Sequence, residues 1–194
     1  MDGYHLEKIW DPVTRLWHWA LALSVVAGWS MGKFMTFSTI EWHFYCGYAT
    51  GGLLIFRCYW GLFGPAPIRF KQLIPTPSDT IAYLIKMRNP VPSGTPGHNP
   101  IGSLSVIAMI LLLGTQATTG LFVESDDFFE MGPLAGYVSN DLIARITWIH
   151  RLIADWILVI VVLHVGAILF YLVWKKENLI KPMITGWKWV KAKV

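Results

Sequence analysis

Charged side chains are scarce in this chain. Asp, Glu, Lys and Arg together make up 14% of its 194 residues, against roughly 25% in soluble domains. Hydrophobic residues fill 54% of the sequence, and mean hydropathy is +0.47. That balance excludes an ordinary soluble globule and points to an integral membrane protein. Cysteine is equally sparse. Cys46 and Cys58 fall in one expected helix, about 120° out of phase, so they cannot bridge each other. Also missing is a basic stretch leading into a short apolar one. The opening MDGYHLEKIWDP mixes acid and base, so the first spanning helix is expected to serve as its own insertion signal. With no internal repeat and no low-complexity tract, 1–194 reads as one domain.

Long apolar runs are what the sequence has instead. Four of them, about 13–36, 41–62, 100–123 and 142–174, predict an all-α, integral membrane four-helix bundle. Asp11 can cap the first helix, with Pro12 in its first turn. The second stops at Gly61-Leu62-Phe63-Gly64-Pro65. Residues 65 to 99 hold seven of the eleven prolines and read as a loop. Within it Ser78 to Arg88 predicts a short helix on the membrane surface, with Ser78 as its cap. Asn99 before Pro100 is suited to cap the third helix. The basic tail KKENLIKPMITGWKWVKAKV, with Trp187 and Trp189, is expected on anionic headgroups, and His5 in an unstructured N-terminal tail. The eleven Trp residues suit interfacial belts and ring-shaped cofactors. The N-terminal part, the segment 57 to 99 and the C-terminal tail carry 13 of the 16 Lys and Arg residues. The positive-inside rule then puts both termini in the cytoplasm and the acidic loop with Glu124, Asp126, Asp127, Glu130 and Asp141 outside.

Ionisable groups inside a membrane are costly and mark function by default. Four of the six histidines fall in expected spans: His18, His43, His150 and His164. His150 and His164 share the fourth helix. Their spacing puts them about 21 Å apart along it and within ~40° of one face. Depth pairs His43 with His150 towards the outside and His18 with His164 towards the inside. Each pair suits axial ligation of one haem iron, because neutral imidazole is a good haem ligand and two of them leave no open position. Glycines such as Gly28, Gly32, Gly47, Gly51 and Gly120 leave room for a flat macrocycle. No Cys-x-x-Cys-His motif occurs, so such a haem would be held non-covalently. The bland alternative is four interfacial histidines hydrogen-bonded to neighbouring helices. Zinc fits worse, since neither pair has a Cys or carboxylate beside it and zinc prefers four ligands.

RLWHWA (Arg15 to Ala20), His43-x-x-x-Gly47 continuing to RCYWGLFG (Arg57 to Gly64), GHNPIG (Gly97 to Gly102) and the histidine pair of the fourth helix resemble the bacterial cytochrome b561 family. That family includes the b-type cytochrome subunits of membrane-bound nickel–iron hydrogenases. The resemblance covers nearly the whole chain, in order. It implies a four-helix bundle of the bacterial inner membrane holding two b haems, with His18, His43, His150 and His164 as ligands. It also implies an exchange site for quinone and electron transfer across the membrane.

The arginines near these histidines have two readings each. Arg57 and Arg15 suit either a haem propionate or a cytoplasmic anchor. Arg151 suits a propionate or a salt bridge to the acidic loop. Asp155 is expected to pair with Arg151. His98 reads as a loop residue or a quinone contact. The acidic loop offers a docking surface for a basic soluble redox protein, or is simply solvated. The expected function is therefore electron transfer between the quinone pool and a periplasmic partner, either a c-type cytochrome, which the acidic loop favours, or a hydrogenase. An electron-transfer subunit is favoured over a stand-alone enzyme. The competing reading is a stand-alone, superoxide-oxidising and quinone-reducing enzyme. It calls for a cationic outer face, and this one is acidic. A haem-free anchor for a peripheral protein leaves the histidines unexplained.

Overall fold

A computed structural model of the chain describes residues 3–125 and 130–192. Its elements run β1 (Tyr4–Lys8), α1 (Pro12–Lys33), α2 (Ile40–Phe63), α3 (Phe70–Leu73), α4 (Pro77–Met87), α5 (Pro100–Gly120), β2 (Glu124–Ser125), β3 (Glu130–Met131), α6 (Asn140–Val173), α7 (Ile180–Thr185) and β4 (Trp187–Lys191). The chain is mostly helical. It forms two compact units, residues 1–17, 58–108 and 160–194 in the first and 18–57 and 109–159 in the second.

The four long helices stand where the apolar runs predict them. The backbone N–H of Thr14 donates to Asp11 Oδ1 at 3.0 Å, and that of Gly102 to Asn99 Oδ1 at 2.9 Å. Both expected caps therefore satisfy orphan N–H groups of a first turn. By length and composition, α5 and α6 suffice to cross a membrane. Only 11% of the apolar window of each is buried within the protein. The core helix of a soluble protein would be mostly covered, and these two are not. α1 and α2, at 22 and 24 residues, match a ~30 Å hydrocarbon layer in length. Their hydropathy is lower, because Trp17, His18, Trp19 and Trp29 in one and His43, Tyr45, Tyr48 and Arg57 in the other stand where aliphatic residues would raise it.

Three expectations need correction. The fold is not purely helical: β1 pairs antiparallel with β4, His5 opposite Val190 and Leu6 opposite Trp189, and β2 pairs with β3. His5 thus lies in a strand. Thr76, not Ser78, caps α4; its Oγ1 accepts from the Asp79 N–H at 3.1 Å, and Pro77 takes the first helical position. Ile81, Leu84 and Ile85 of α4 form an exposed apolar stripe, as a helix resting on lipid would. Nor is the basic tail wholly a headgroup surface. Lys188 and Glu177, 7% and 9% exposed, form an ion pair at 3.1 Å. Lys188 also donates to Thr95 O at 3.0 Å, and Glu177 accepts from Ser93 N at 2.7 Å.

In the first unit Ile9, Trp10, Ile68 and Val190 form a buried apolar cluster. Gly186 ends α7 with φ +88°, a left-handed conformation suited to glycine. Its carbonyl accepts from Ile9 N at 2.9 Å. A Cβ there would sit 2.6 Å from Trp10 O, so no other residue keeps this closure.

Candidate functional site

The second unit brings two of the predicted site residues together, ring edge to ring face. The rings of His43 on α2 and His150 on α6 lie with centroids 6.2 Å apart and planes at 83°. Two imidazoles bonded to one metal at about 2 Å each stand with centroids roughly 6 Å apart, so the spacing admits one metal ion between them. His43 Nδ1 is 2.8 Å from Gly28 O. A carbonyl only accepts, so Nδ1 carries the proton and Nε2 keeps a lone pair. His150 Nδ1 is 3.0 Å from Thr119 Oγ1, and that hydroxyl donates to Thr115 O at 2.8 Å. With its one proton so committed, Thr119 accepts from Nδ1, and His150 Nε2 also keeps a lone pair. Metal-bound histidines share this arrangement, with the outer nitrogen donating to a fixed acceptor.

Glycine makes the space. A Cβ on Gly32 would lie 2.9 Å from His43 Cε1, and one on Gly120 would lie 3.2 Å from His150 Cε1. Trp29 Nε1 donates to Ala154 O at 3.1 Å and ties α1 to α6 beside the pair. Among the described residues no three His, Cys, Asp or Glu side chains cluster as a zinc site requires. The two imidazoles, each with a free Nε2, are suited to a haem iron, and His43 and His150 are the residues that would hold it.

His18 lies in the second unit, edge-on to Trp19 at 5.1 Å, and His164 in the first. Arg57 is 5% exposed, and a guanidinium so withdrawn from solvent requires compensation by charge or hydrogen bonds. Arg15 donates to Ile184 O, so its backbone tie is direct. Arg151 is exposed. The expected Arg151–Asp155 ion pair does not form, since the pairs among the described residues are His5–Glu7 and Lys188–Glu177. His98 packs against Trp10 at 4.9 Å. Asp126 and Asp127 of the acidic loop lie outside the described residues.

Two residues at the site went unread in the sequence. Gln116 and Thr119 of α5, the helix that carries no predicted ligand, both touch His150, Gln116 Nε2 at 3.0 Å from its Nε2. The signal was there: Gln116 is the one amide in the span Pro100–Gly120, and Thr119 shares its face.

Comparison with known proteins shows the family. Residues 9–186 match the family model described as prokaryotic cytochrome b561. The chain is 26% identical over 218 residues to the probable Ni/Fe-hydrogenase B-type cytochrome subunit of Azotobacter chroococcum mcd 1, covering 94% of this chain and 88% of that protein. Identity to the protein of the same description from Azotobacter vinelandii is 26% over 219 residues, with the same coverage. No solved structure matches. The chain belongs to the prokaryotic cytochrome b561 family, a family of membrane-bound b-type cytochromes.

Proposed function

We propose that this membrane b-type cytochrome passes electrons between quinone and a periplasmic redox partner, through two non-covalent b haems each held by two histidines. His43 and His150 would hold one. The sequence assigns the other to His18 and His164. The observation that carries the reading is the His43–His150 geometry: rings 6.2 Å apart, each with its outer nitrogen already committed to an acceptor. When bound there, haem supplies a reversible one-electron change with no free coordination position for oxygen. The protein's own share is structural. Gly28 O and Thr119 Oγ1 fix the two rings, and Gly32 and Gly120 leave room for them. Arg57 and Arg151 would neutralise propionates, and the apolar helices exclude water from the gap. Both termini would face the cytoplasm of a bacterial inner membrane, with the four long helices spanning it.

A hydrogenase is the favoured class of partner, since both Azotobacter relatives are described as its cytochrome subunits. A c-type cytochrome docking at the acidic loop is the other. The test is to reconstitute the purified protein in liposomes and add a reduced quinol. Reduction of the b bands supports the reading. Bands that respond to superoxide but not to quinol would sink it in favour of the stand-alone enzyme.

A further inference from the structure

The α5 helix supplies no histidine, yet two of its side chains hold His150. We propose that Thr119 is a positioning residue that fixes the His150 ring and enriches its coordinating nitrogen. On the same proposal, Gln116 occupies that nitrogen only until a metal displaces it. This rests on His150 being a haem ligand.

The two contacts differ in kind. Thr119 Oγ1 sits 3.0 Å from Nδ1, and its own proton goes back to the helix, to Thr115 O at 2.8 Å and Gln116 O at 3.0 Å. It therefore draws on the Nδ1–H bond, turns the ring about that contact, and pushes electron density towards Nε2. Thr118 sits beside it in sequence, but its hydroxyl bonds back to Gly114 O at 2.8 Å and makes no such contact. Gln116 Nε2 lies 3.0 Å from His150 Nε2, the nitrogen an iron needs. Its Oε1 is buried and has no hydrogen-bond partner among the described residues. Buried polar atoms are normally satisfied. The Gln116 contact uses the ligand nitrogen and cannot coexist with a metal there, whereas the Thr119 contact is compatible with the metal-bound ring.

The two side chains should then respond with opposite sign. In haem-loaded, detergent-purified protein, Thr119→Val should raise the midpoint potential of the haem assigned to His150. A poorer donor stabilises the ferric state less. Haem retention at that site should fall about tenfold or more, as for other partners of metal-bound histidines. Thr119→Ser should restore both, and Thr118→Val should change neither. Gln116→Leu should retain haem at least as well as wild type. Should Thr119→Val fail to fold, Thr119→Ala gives the same reading.

A wild-type potential and retention in Thr119→Val, or an equal loss of haem in Gln116→Leu, overturns the proposal. His150→Ala separates the two levels of the argument. If it loses a haem while Thr119→Val is silent, only the positioning role fails. If it keeps every haem, the ligand reading fails first.

Discussion

His43 Nδ1 and the Gly28 carbonyl lie 2.8 Å apart, and that contact settles which nitrogen of His43 is free. The acceptor is fixed in the backbone of α1, so no side-chain substitution removes it. Exchange of the ligands themselves should therefore show cleanly. His43→Ala and His150→Ala should each lower haem content by one per polypeptide and remove the same spectral component. Loss of different components, or no loss, would separate the two residues.

Space is the next requirement. Gly32→Ala places a Cβ 2.9 Å from His43 Cε1, and Gly120→Ala places one 3.2 Å from His150 Cε1. Both should lower haem occupancy, Gly32→Ala the more, because its approach is closer than real Cβ atoms tolerate. Occupancy read from the Soret absorbance per protein checks the order. Equal or wild-type occupancy would mean that these glycines leave no needed gap.

The Lys188–Glu177 pair, at 3.1 Å and less than a tenth exposed, stitches residues 93 to 97 to the C-terminal segment. Removing one partner leaves a buried charge. Lys188→Ala should cost ~3–5 kcal/mol of that region's stability, and the double change Lys188→Met with Glu177→Met much less. Protease sensitivity of the C-terminal segment reports it. Lys181→Ala, at an exposed position, is the control, and a similar effect there would contradict the account.

Tyr83 gives a pH dependence. Burial, followed by its hydrogen bond with Tyr171, holds its phenol above the ordinary tyrosine value. The folded state thus favours the neutral form. Its contribution is complete below the unfolded value of about 10 and is lost as pH rises beyond it. Wild-type protein should lose more thermal stability between about pH 10 and 12 than Tyr83→Phe does. Parallel losses would show that the phenol is not held this way.

The long helices were legible because each is an apolar run of twenty residues or more, and Asp11 and Asn99 could be read as caps from the prolines behind them. Thr76 was missed because Thr76 and Ser78 both suit a cap; Pro77 at the first helical position decides between them. The β1–β4 pairing escaped because YHLEK and WKWVK are each five residues long and lie at opposite ends of the chain. The alternation of WKWVK was visible, but it also suits an interfacial tail. The histidines stood out in the sequence as ionisable groups inside apolar runs, and His43 and His150 are the two that the second unit brings together. Thr119 and Gln116 did not stand out, because threonines in an apolar helix bond back to their own backbone, as Thr115, Thr118 and Thr119 all do here, and nothing in the sequence marks the one that also meets His150.

The most direct test is haem per polypeptide, by pyridine haemochrome on detergent-purified protein with a reduced-minus-oxidised spectrum. Two b haems per chain with low-spin bands are the predicted result. One haem, removed by His43→Ala, would leave His18 and His164 without their assigned role. A folded protein that binds none would contradict the electron-transfer account outright.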